Sequence, residues 1–267
     1  MRNDQKALAD IYSRIITESN GRKVVDGDVN LNYLCLRKLP EWLADVTING
    51  DLYLTNNHLL TLENCPQYIT GSFICGGNYL HNLIGGPVSV GEEARYGVYS
   101  CANNKLTSLA GAPKNMDYCD FDCSQNHLTD LMHLPPTIGG ELICSYNRLK
   151  TLKGCPRTVG NDFDCMANDL TSLEHGPANV LRPDGTYKGL YNCSYNDITS
   201  LIGAPKKIGS LNCKSNKIVS LEGIPEVIYG YFDLNKNPGK FDKNEIVKMS
   251  EVSAGMIYYD YKSEKRK

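Results

Sequence analysis

The chain has 267 residues, 41% hydrophobic and 22% charged, an ordinary balance for a globular protein with its own core. Its formal net charge of −2 lacks the basic excess of a nucleic-acid or membrane-surface binder. No stretch approaches the roughly 18 apolar residues of a membrane-spanning helix, and the charged opening segment lacks the apolar run of a signal peptide. The first predicted element is a helix, in which Leu8, Ile11, Tyr12, Ile15 and Ile16 recur at helical spacing and Gly21 ends the run. It predicts an N-terminal capping helix within residues 1–28.

From 29 to 241 the chain repeats itself, in about ten coils. Three consecutive units read FDCSQNHLTDLMHLPPTIGG from Phe121, LICSYNRLKTLKGCPRTVG from Leu142 and FDCMANDLTSLEHGP from Phe163. The anchoring asparagines are Asn57, Asn78, Asn104, Asn126, Asn147, Asn168, Asn196, Asn216 and Asn237, spaced 20 to 28 residues apart. Leu34 takes that slot in an earlier unit. Each apolar-x-Cys step predicts a short strand with two side chains pointing inward. The asparagine turns in to bond backbone groups of its own turn and of the neighbouring coil. A leucine pair, such as Leu128 and Leu131, fills the interior. The proline then sets a return too short for a helix, expected to be extended or polyproline-like with occasional 3₁₀ turns. One unit cannot bury its apolar face alone, but stacked units share one core behind a parallel sheet on the concave face. Nine strands would make that sheet roughly 40 Å wide.

Such a period on an L-x-L-x-x-N-x-L core is the leucine-rich-repeat signature, so the expected fold is a leucine-rich-repeat-like solenoid with short helical caps. The run Cys193-Ser194-Tyr195-Asn196-Asp197-Ile198-Thr199-Ser200-Leu201 through Pro205 resembles phage-encoded proteins with C-S-x-N-x-L-T-S-L-x-G-x-P repeats. The chain is more distantly similar to the short-repeat effectors of bacterial pathogens. The resemblance covers residues 29–237. It implies a phage-type protein in the bacterial host cytosol.

Two units are longer than the rest, with extra residues at 91–97 and 182–188. Insertions in repeat arrays emerge as loops on one face. Arg95 and Tyr96 in the first, Arg182 and Tyr187 in the second, are residue types favoured at interfaces. Tolerated surface decoration is the competing reading. Past the repeats, Asp242 and Glu245 resemble a helix start and predict a helix at about 242–252. A strand-like aromatic run follows at 256–261, then a basic tail; together 242–267 form the C-terminal cap and tail.

Strand residues that alternate with the buried ones face the concave side. Three adjacent coils place Asp120, Asp122, Glu141, Asp162 and Asp164 there, with no Lys or Arg at the same positions. Stacked carboxylates repel unless water, cations or a partner relieves them. The patch predicts a protein partner with a basic surface, framed by Tyr146 and Tyr195 one residue before their anchors.

The 11 cysteines are an odd number without a disulfide pattern. Cys75, Cys101, Cys123, Cys144, Cys165, Cys193 and Cys213 share one inward slot, which Leu31, Leu54 and Leu234 fill in end coils. A small apolar filler explains the slot, since a linear ladder does not converge on zinc. Nucleophile-elbow, phosphate-loop, zinc-protease and dinucleotide motifs are absent, and no metal or cofactor is expected. The leading expectation is a non-enzymatic module that binds and inhibits a host protein, such as an anti-phage defence protein. Two alternatives stand beside it: a small-molecule or nucleotide binder using Arg95, Arg182 and Lys188, and a structural component of a phage particle.

Overall fold

The computed structural model describes residues 3–92, 96–181, 185–186, 189–252 and 256–259. The repeats wind into a solenoid. One short strand per coil joins a parallel sheet of eleven strands, running in coil order from Val29–Asn30 to Ile257–Tyr258. The sheet is wider than the nine strands expected, because the first unit and the C-terminal aromatic run both pair into it.

Register explains the core. Successive coils align Leu52, Phe73, Tyr99, Phe121, Leu142, Phe163, Tyr191, Leu211 and Phe232 side by side. Every one of these side chains is buried. Neighbouring rings touch, with centroids 5.0 Å apart for Phe73–Tyr99 and 4.8 Å for Phe163–Tyr191. Burying one such ring stabilises the fold by roughly 1.5–3 kcal/mol. Two residues on, the cysteine slot lines a second buried row, and Cys193 Sγ lies 3.4 Å from Cys213 Sγ. Burial pushes the thiols of Cys101, Cys123, Cys144 and Cys165 well above their ordinary value, which leaves them poor nucleophiles.

The asparagines close the turn as their chemistry requires. Asn126 Nδ2 donates to Cys123 O and to Cys101 O of the preceding coil, both at 3.1 Å, while Oδ1 accepts Leu106 N at 2.9 Å. The other eight anchors repeat this three-way bond, from Asn57 to Asn237. Each anchor follows a residue with left-handed backbone; Tyr146 and Tyr195 hold φ of 54° and 56°.

The returns are extended, as expected, and they also pair, which spacing alone did not predict. The Pro-x-x-Ile/Val-Gly segments pair with one another as two-residue parallel strands, such as Thr137–Ile138 with Thr158–Val159. Stacked coils hold successive returns at strand spacing, and the proline precedes the paired residues, where its missing donor costs nothing. A 3₁₀ turn spans Glu41–Asp45.

The N-terminal helix is also shorter than expected. It spans Asn3–Ser13, after which Ile16–Thr17 turns back antiparallel to Lys23–Asp26. The β-branched run Ile15-Ile16-Thr17 favours extended backbone, and the hairpin covers the edge of the return sheet. Gly21, at φ 84°, serves that hairpin's turn rather than a helix end. At the other end the helix spans Lys243–Met249, capped by Asp242 accepting Asn244 N at 2.6 Å. Among the described residues no helix is long and apolar enough to cross a membrane.

Candidate functional site

The site is built from strand residues pointing away from the core. Position six before the anchor lies at the entry to the strand, and an acceptor there meets the backbone N–H of the next coil. Asp120 Oδ1 accepts Glu141 N at 2.8 Å, and Asp162 Oδ1 accepts Leu190 N at 2.8 Å. Asp51 does the same for Ser72 N and Ser210 Oγ for Tyr231 N. Position four before the anchor ends the strand and caps its own turn. Asp122 Oδ1 accepts Ser124 N at 3.0 Å, and Asp164 Oδ1 accepts Met166 N at 2.9 Å. Four of the five carboxylates therefore hold backbone as well as charge. The recurring Asp or Ser at the strand start was the sequence signal for this role.

Glu141 stands between Asp120 and Asp162 on the same face. Burial first, then those two neighbours, raises its carboxyl above the ordinary value. Burial likewise raises Asp164, opposed by the Met166 N–H and the Asn192 side chain. Among the described residues none of the five joins an ion pair. A shallow dent of about 120 Å³ lies on this face, lined by Glu141, Ile143, Asp162, Asp164, Leu190 and Asn192. Asn192 is a member that the sequence reading did not single out.

The first insertion reaches this patch. Tyr96 donates its hydroxyl to Asp120 Oδ1 at 3.0 Å. Gly140 makes room, since a Cβ there would collide with both the Tyr96 hydroxyl and Asp120 Oδ1. Burial and the Asp120 charge raise the Tyr96 phenol well above its ordinary value, so it stays a neutral donor. Arg95, Arg182, Tyr187 and Lys188 lie outside the described residues. Tyr146 and Tyr195 are exposed beside their anchors, on the turns that leave the sheet.

No protein-family model matches the sequence, and no curated protein matches it. Solved structures do. The leucine-rich repeat domain of APL1B superposes with a TM-score of 0.57 at 14% identity, over 98% of this chain and 93% of that one. YopM, a leucine-rich effector protein from Yersinia pestis, gives 0.50 at 18% identity, over 91% of this chain and 70% of that one. YopM from Yersinia enterocolitica WA-314 gives 0.36 at 20% identity over 89% of this chain, which spans 64% of that protein's length.

Proposed function

The fold is a leucine-rich-repeat-like solenoid, and we propose that it is a non-enzymatic protein-binding scaffold. Its partner carries a basic surface and docks on the concave face over Asp120, Asp122, Glu141, Asp162 and Asp164, with Tyr96 at the margin. The observation that carries this reading is the run of five carboxylates on three adjacent strands, where Asp120 and Asp162 add to burial in raising Glu141 and no ion pair among the described residues neutralises any of the five. A basic surface would relieve that repulsion on binding. The resemblance of the repeat to phage-encoded proteins supports a role in a bacterial host cytosol, as an inhibitor that occludes a host protein, a defence protein being the natural target.

The test compares tagged wild-type protein with a variant carrying D120N, D122N, E141Q, D162N and D164N. Asparagine keeps the Oδ1 acceptors that hold backbone, so the variant loses charge and not fold. Co-purification from bacterial lysate is expected to give a stoichiometric partner with the wild type and little or none with the variant. A partner retained at full yield by the neutral variant would sink the acidic site.

A further inference from the structure

The flank where the strands end carries a second surface, of opposite sign, in overlapping coils. The residue after each anchor stacks on its neighbours through a backbone bond to the previous coil: Tyr79 N to Leu59 O, Lys105 N to Leu80 O, His127 N to Leu106 O and Arg148 N to Leu128 O, at 2.9 to 3.0 Å. The ridge therefore reads His58, Tyr79, Lys105, His127, Arg148 in coil order. Lys150 flanks Arg148, two residues along the same coil. All of these side chains are exposed except His127, which is half-buried. Beyond Arg148 the same slot turns acidic at the exposed Asp169, which ends the basic stretch, and then holds Asp197 and Lys217, which neutralise each other at 2.8 Å. Among the described residues Lys105, Arg148 and Lys150 join no ion pair. At the ridge's other end, Arg37, His58, Leu60 and Tyr79 line an open groove of about 270 Å³. The His58 and Tyr79 rings there lie 5.9 Å apart.

We propose that this flank binds an extended acidic polypeptide segment whose terminal apolar side chain seats in the Arg37–His58–Leu60–Tyr79 groove. Three coil steps separate Tyr79 from Arg148, roughly 14 Å, which about four extended residues span. The groove supplies aromatic and apolar walls for one side chain, and the unpaired cations supply partners for the carboxylates that follow. A nucleic-acid strand is the poorer fit. Few cations are available, and the five concave carboxylates in overlapping coils repel a longer polyanion. This surface does not depend on the concave one.

Fluorescence anisotropy with labelled synthetic peptides tests it. The probes are phenylalanine followed by four glutamates, the reversed sequence, and a control with alanine for phenylalanine. Saturable binding is expected for at least one phenylalanine peptide, with the control weaker. The surface variant K105E/R148E/K150E is expected to weaken binding at least tenfold. Leu60→Asp is expected to bring the phenylalanine peptide down to the control. The charge-neutral concave variant described above is expected to bind the peptide at least as well as wild type, so failure of one surface is distinguishable from failure of the other. No saturable binding up to about millimolar peptide, or binding unchanged in K105E/R148E/K150E, overturns the proposal. A single-stranded oligonucleotide that binds where the peptides do not overturns the assignment of a polypeptide.

Discussion

Coils with a long insertion and coils without one differ in a single cross-section. In three ordinary coils the residue before the proline is Cys65, Ala112 or Cys155, and the next strand brings Phe73, Phe121 or Phe163 into the core. In the two insertion-bearing coils the pairs are Gly86 with Tyr99 and Gly176 with Tyr191. A Cβ on Gly176 would stand 2.6 Å from the Tyr191 hydroxyl and 3.0 Å from Leu173 O. On Gly86 it would meet Tyr99 at 3.1 Å and Leu83 O at 3.0 Å. The larger side chain on one wall is offset by the missing one on the other, so the coil keeps its packing density. Both hydroxyls are buried without a hydrogen-bond partner. What changes is the return, where the insertion leaves the coil; the strand and its asparagine bonds are the same in both kinds.

The largest effect should come from what the two kinds share. Asn126→Ala in an ordinary coil and Asn196→Ala in an insertion-bearing coil each strip a buried carbonyl pair and a buried N–H of their partner. Each should cost about 3–5 kcal/mol in urea denaturation. Asn147→Ala, at a half-buried anchor, should cost less. A much smaller loss for Asn196→Ala would show that the insertion loosens the strand as well as the return.

Next comes the cross-section itself. Gly176→Cys restores the ordinary residue but drives it into Tyr191, and should destabilise by about 2–3 kcal/mol. Adding Tyr191→Phe rebuilds the ordinary pair and should recover most of that loss, a coupling above about 1 kcal/mol. Tyr191→Phe alone removes an unpartnered buried hydroxyl and should be neutral or stabilising by up to about 1 kcal/mol. Additive single and double changes would mean that the glycine and tyrosine are unrelated.

A smaller effect separates the backbone role of the concave acids from their charge. Asp120→Ala loses the acceptor for Glu141 N and for the Tyr96 hydroxyl and should cost about 1–2 kcal/mol. Asp120→Asn keeps Oδ1 and should stay within about 0.5 kcal/mol of wild type. Equal losses would mean that the carboxylate acts through charge and not as a backbone acceptor.

The legible part of this molecule was the part set by spacing. The asparagine, leucine and proline positions gave the coil, and period-two alternation placed Asp120, Asp122, Glu141, Asp162 and Asp164 on the open face of the sheet. Contacts made across coils were not legible. Pairing of the returns depends on coil stacking, and the hairpin at Ile16–Thr17 depends on an edge that only the assembled sheet presents. Tyr96 reaches Asp120 only because Gly140, in the next coil, leaves its path open. The Gly176–Tyr191 exchange was visible as letters, but its meaning needed the two walls of one coil to be brought face to face.

The smallest effect is electrostatic and depends on pH. Glu141 and Asp164 bind their protons more tightly in the fold than their ordinary values near 4.5 and 3.8 would have it. Their protonated forms favour the folded state, so their contribution to stability is full below those values and is lost as pH rises through the raised folded values. Glu141→Gln removes its share of that loss without touching any backbone bond of Asp120 or Asp162. The variant should therefore gain on the wild type as pH climbs from about 4 to 7, by less than about 1 kcal/mol because the side chain is well screened by solvent. Thermal melts of the two proteins across this range read the difference directly. A gap that stays constant with pH would mean that neither burial nor its neighbours strain the Glu141 carboxylate, and the acidic face would then have no repulsion there for a basic partner to relieve.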